Sequence, residues 1–65
     1  MNRNLKIARI KCNLTQKELA KSVGITNKYL SQIETGKSKN PSKPLMEKIA
    51  KVLNYSVQEL FFNGD

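Results

Sequence analysis

Leu14-Thr15, Ile25-Thr26 and Tyr55-Ser56 repeat one device: an apolar residue, then a hydroxyl residue, with a leucine following at Leu19, Leu30 and Leu60. A Thr or Ser in that place accepts a hydrogen bond from an N–H in the first turn of a helix, and the apolar pair staples the chain as it enters. Thr15 and Ser56 are each followed by an acid, Glu18 and Glu59, at the spacing of a reciprocal capping box, while Tyr29 stands in that place after Thr26. Ser42 is a fourth candidate cap, with Pro44 tolerated in the first turn it opens. Asn13, Gly24, Gly36 and Asn54 supply the stops, being residue types that accept the left-handed conformation ending a helix. The punctuation predicts five short helices, roughly 2–12, 15–23, 26–35, 43–53 and 56–62, and no strand pattern competes. The fold class is all-α.

The apolar spacing agrees. Leu19, Ala20 and Val23 line one face of the second helix, Leu30 and Ile33 one face of the third, and Met46, Ile49, Ala50 and Leu53 one face of the fourth. Leu5, Ala8 and Cys12 make a stripe on the first, with Ile7 and Ile10 off it; Leu60 and either Phe61 or Phe62 close the core. Sixty-five residues form one domain, 1–65, with residues 63–65 as a tail. A chain of this size buries only about 60% of its unfolded surface, which leaves no interior for a deep catalytic cleft.

Twelve Lys+Arg against five Asp+Glu give a net charge of +7, which points to a polyanionic partner, nucleic acid before anionic membrane. The lysines are spread over loops and several helices, unlike the single basic amphipathic helix of a membrane-surface protein. Histidine is absent and Cys12 is the one cysteine, so the chain offers neither an internal disulfide nor a Cys/His zinc site, nor a base to activate a thiol. No metal, cofactor, small-molecule ligand or enzymatic activity is expected. The basic, charge-interrupted start is not a signal peptide, and a soluble, cytoplasmic protein is expected.

The second and third predicted helices are joined by little more than Gly24 and Ile25. Ala20 is small where one helix passes close to the next, Gly24 turns with positive φ, and Val23 and Ile25 plug the joint. These are the requirements of a helix-turn-helix over residues 15–34. In "TQKELAKSVGIT", "LSQIETGK", "NPS" and "KIAKVLNYSVQELF" the chain resembles the Cro/C1-type (XRE) helix-turn-helix family, which includes the lambdoid phage repressors. The resemblance runs from about Leu5 to Phe61. It implies a compact five-helix, lambda-repressor-like bundle whose third helix enters the major groove of double-stranded operator DNA. It further implies a homodimeric regulator of transcription, most simply a repressor.

With Leu30 and Ile33 inward, helical geometry turns Lys28, Ser31, Gln32 and Thr35 outward, with Asn27 and Tyr29 on the flanks. Recognition helices read with their N-terminal part, so Asn27, Lys28, Ser31 and Gln32 are the expected base-reading residues. Gln16 begins the second helix, where free N–H groups favour an anion, and the family resemblance assigns it to the sugar–phosphate backbone. Thr26, Tyr29, Lys37, Lys39, Asn40 and Lys43 are the other expected phosphate contacts. The resemblance also implies an ion pair between Arg9 and Glu34. Two departures stand out: Lys43 occupies a place usually apolar in the family, and the loop before Pro41 is one residue longer than the common form. Tyr55, Val57, Phe61 and Phe62 offer more apolar surface than one small core needs and are the expected dimer interface. The alternative is an antitoxin-like protein-interaction module of a toxin–antitoxin or mobile-element system.

Overall fold

The computed structural model describes residues 4–37 and 41–62. Four α-helices follow in order, α1 (Asn4–Lys11), α2 (Gln16–Val23), α3 (Asn27–Thr35) and α4 (Lys43–Leu53), and a π-helical turn at Gln58–Phe62 closes the bundle. α2 packs on both α3 and α4, while α1 lies against the closing turn.

One mechanism ends each of the α-helices. Asn13, Gly24, Gly36 and Asn54 all carry φ between 60° and 78°. The next residue then reaches back over the turn: the N–H groups of Leu14, Ile25, Lys37 and Tyr55 donate to the carbonyls of Arg9, Ala20, Gln32 and Ala50 at 3.0–3.2 Å. That bond satisfies carbonyls the helix leaves without a partner. Leu14, Ile25 and Tyr55 also pack against the core, so one residue both seals a helix and starts the staple of the next.

The starts are equally local. Thr15 accepts from the Glu18 N–H at 3.1 Å, and Glu18 Oε1 accepts from the Thr15 N–H at 2.8 Å. Thr26 accepts from the Tyr29 N–H at 3.0 Å, and Ser42 from the Leu45 N–H at 3.4 Å. Each cap contributes on the order of 1 kcal/mol, a large share of what so small a domain can hold.

The core is built from one or two large side chains per element. Leu19, Leu30, Ile49, Leu53 and Leu60 are each fully buried, with Leu5, Ala8, Ala20, Val23, Met46 and Ala50 around them. Each such leucine or isoleucine contributes about 1.5–3 kcal/mol on burial. Cys12 is a packing residue: partly buried, it donates its Sγ–H to the Leu53 carbonyl at 3.3 Å.

The final helix is where the fold departs from expectation. Instead of an α-helix over 56–62, the chain makes one π-type turn from Gln58, which carries the sequence neighbours Leu60 and Phe61 together into the core at 1% and 8% exposure. Phe62 is left outside, 53% exposed. Among the described residues no helix is long and apolar enough to cross a membrane.

Candidate nucleic-acid interface

Gly24, with φ 78° and ψ 32°, bends the chain between α2 and α3, and its N–H donates to the Ala20 and Lys21 carbonyls. Ile25 partly buries itself in the joint, and Thr26 caps α3 immediately after. Leu30 is the pin that fixes the roll of α3. With it inward, Asn27 and Lys28 are exposed and Ser31, Gln32 and Tyr29 are half-buried along the helix.

The polar side chains of α3 divide by what they already do. The Thr26 hydroxyl oxygen is occupied by its cap, leaving its O–H proton to donate outward. Thr35 is exposed, yet its hydroxyl donates to the Ser31 carbonyl at 2.9 Å, so it is folded back on its own helix and not aimed outward as the wheel suggests. Glu34 is 4% exposed and faces α1. That leaves two carboxamides, Asn27 and Gln32, one ammonium, Lys28, and the hydroxyl of Ser31 as the presented groups, with the Tyr29 phenol on the flank. Carboxamides match the donor–acceptor edge of adenine, and a cationic donor matches guanine O6 and N7.

Burial of the Glu34 carboxylate is offset by Arg9, 8% exposed, which meets it edge-on. Arg9 Nε donates to Glu34 Oε2 at 2.7 Å and Nη2 to Glu34 Oε1 at 3.3 Å. The remaining arm, Nη1, donates to the Leu14 carbonyl at 2.7 Å. Gln16, at the first position of α2, adds Nε2 to Glu34 Oε1 at 2.9 Å. α1, the α1–α2 loop, α2 and α3 are thus laced together at one carboxylate. Nothing in the sequence pattern marks the Gln16–Glu34 bond, because the partners lie 18 residues apart on different helices. Among the described residues no buried side-chain nitrogen or oxygen lacks a partner.

Of the lysines, Lys37 is exposed just past the α3 cap at Gly36, and Lys43 is exposed at the first position of α4. Lys39 and Asn40 lie outside the described residues. Among the residues expected at a dimer face, Tyr55 and Val57 are half-buried against the core. Phe61, expected there too, is drawn into the core by the π turn, so Phe62 is the fully presented aromatic of the group.

Comparison with known proteins gives the same pattern of elements. The helix-turn-helix family model matches residues 5–60. An HTH-type transcriptional regulator of Archaeoglobus fulgidus is 43% identical over 61 residues, covering 94% of this chain and 84% of that protein. The crystal structure of SinR, the master regulator for biofilm formation, in complex with DNA superposes with a TM-score of 0.82 at 36% identity, covering 89% of this chain and 92% of that one. The restriction-modification controller protein C.AhdI from Aeromonas hydrophila gives 0.80 at 30% identity, over 91% and 88% of the two chains. On the extent of these matches, the chain belongs to the helix-turn-helix family, of Cro/C1 (XRE) type.

Proposed function

We propose that this protein, a DNA-binding transcriptional regulator of its family, reads operator DNA by laying α3 in the major groove, with Asn27, Lys28, Ser31 and Gln32 toward base edges. One observation carries this assignment. Apart from Tyr29, half-buried on the flank, the other polar side chains at α3 are engaged in capping, in the Arg9 pair or in a bond to their own helix, and these four remain presented. SinR, similar to this chain along nearly its whole length, has been solved with DNA bound.

Around the reading helix, Gln16, Thr26, Tyr29, Lys37 and Lys43, with Lys39 and Asn40 beyond the described residues, contact phosphates and set register without reading sequence. The net charge of +7 supplies the attraction. Two copies associate through Phe62 with the rims of Tyr55 and Val57, placing two α3 helices about 34 Å apart on one face of the duplex. Bound where an operator overlaps a promoter, the dimer represses, and it does so in the cytoplasm. Residues 1–65 act as a single domain without catalysis.

Selection of bound sequences from random duplex DNA tests the reading. A two-fold-related motif with half-sites one helical turn apart is the expected product. Recovery of sequences with no preference would defeat it.

A further inference from the structure

The buried ion pair has a third member, and that member stands at the DNA-facing end of α2. Glu34 Oε1 accepts at once from Arg9 Nη2 at 3.3 Å and from Gln16 Nε2 at 2.9 Å. We propose that Glu34 is a positioning residue for Gln16: it fixes which end of the Gln16 carboxamide faces outward, and so sets the grip of α2 on the DNA backbone. The inference rests on the reading above, in which Gln16 meets a phosphate.

The polarity follows from the inventory of donors. A carboxylate paired with arginine only accepts, so the Gln16 amide nitrogen must face it and the carbonyl oxygen must turn away from it. Nε2 carries two protons, and Glu34 takes one. The other stays free to donate to a phosphate, beside the first N–H groups of α2, which have no carbonyl within their own helix. An unrestrained glutamine presents oxygen as readily as nitrogen, and an oxygen set against a phosphate repels it. The restraint also removes the rotamer freedom that an exposed glutamine loses on binding.

Glu34 in turn is held by Arg9, which neutralises a carboxylate that would otherwise repel the phosphates. The chain of bonds runs from the Leu14 carbonyl through Arg9 and Glu34 to Gln16. An acid on the recognition helix therefore serves DNA binding indirectly, through a neighbour on another helix.

Two measurements test this. In the unmodified protein, side-chain amide NMR should find the Gln16 Nε2 group ordered, with one proton slow to exchange, in contrast to that of exposed Gln58. Equal mobility of the two would overturn the proposal without any variant having to fold. The second is a thermodynamic cycle on DNA affinity, read on a mixed-sequence duplex and on the selected operator. Gln16→Ala should weaken both by about tenfold, as for a lost bond to a charged group. Arg9→Met with Glu34→Leu, which removes the acceptor without stranding a charge, should weaken them similarly. Adding Gln16→Ala to that pair should then cost little more, while Lys37→Ala keeps its full effect in either background. Multiplying losses for Gln16 would overturn the positioning role and leave the phosphate contact standing. Coupling to Lys37 as strong as to Gln16 would mark general distortion and also overturn it. No loss from Gln16→Ala alone would remove the phosphate contact itself, and the inference with it.

Discussion

Arg9 and Glu34, 25 residues apart in sequence, meet at 2.7 Å inside the domain, with side chains 9% and 1% exposed. They join the first helix to the recognition helix, so the attitude of α3 depends on a residue that α3 does not contain. Removing one member of such a pair leaves the other charged and buried, which costs about 3–5 kcal/mol. A core of this size seldom supplies more than about 3–5 kcal/mol in total. Arg9→Ala should therefore be largely unfolded at 25 °C, and Arg9→Met with Glu34→Leu should be more stable than either single change. Thermal denaturation followed by circular dichroism decides the matter; an Arg9→Ala protein as stable as the parent would sink it.

Gly24 tests the turn in isolation. Its φ of 78° is left-handed, and a Cβ placed there meets nothing within 4 Å. The cost of a side chain is then backbone strain alone, roughly 1–2 kcal/mol for alanine. Asparagine should cost less, since Asn13 and Asn54 already adopt that conformation in this chain at φ 60° and 61°. Urea melts should rank the series Gly24, Gly24→Asn, Gly24→Ala in falling stability. An alanine variant matching asparagine would show that the strain argument is wrong.

The acid in the closing turn, Glu59, gives a pH signature. The Ser56 N–H donates to Glu59 Oε1 at 2.9 Å, and the Glu59 N–H donates to Ser56 Oγ at 3.0 Å. The Ser56 backbone bond first, and its hydroxyl second, hold the Glu59 carboxyl below its ordinary value of 4.5. A depressed folded value means that ionised Glu59 stabilises the fold above pH 4.5, and that this contribution fades as pH falls through the folded value. Glu59→Gln keeps the cap geometry but not the titration. The gap in melting temperature between parent and variant should narrow from neutral to acid pH, and curves that stay parallel would contradict the assignment.

The same contrast between local and distant bonds explains what was legible in the sequence. Caps and stops engage residues within one turn, so Thr15 with Glu18, Ser56 with Glu59, and the left-handed residues announce themselves in a short window. Core faces follow from the 3.6-residue period. The Arg9–Glu34 pair spans three elements, and only the family resemblance suggested it. Gln16 on Glu34 had no signal of either kind. The π turn was hidden because period counting cannot tell which of Phe61 and Phe62 belongs inside; packing of the closing turn into the shared core decides it. Thr35 did carry a signal, since threonine in a helix often bonds back to its own carbonyls, and it lost to the simpler wheel argument.

The two classes of DNA contact predict different kinds of loss. In the proposed reading, Asn27 and Gln32 satisfy both donor and acceptor on one base, so each alanine substitution should cost about 1–3 kcal/mol on the selected operator and relax preference at a single position. Neither should change binding to a mixed-sequence duplex by much. As the proposed phosphate contacts, Lys37 and Lys43 would act through charge: Lys37→Ala and Lys43→Ala should weaken both duplexes alike and reduce the slope of log affinity on log salt by about 0.9 for each phosphate released. Fluorescence anisotropy across a salt series, on both duplexes, separates the two behaviours. If Asn27→Ala lowered the salt slope and left position preference intact, its side chain would belong to the phosphate set, and the reading surface would have to be redrawn around Lys28, Ser31 and Gln32.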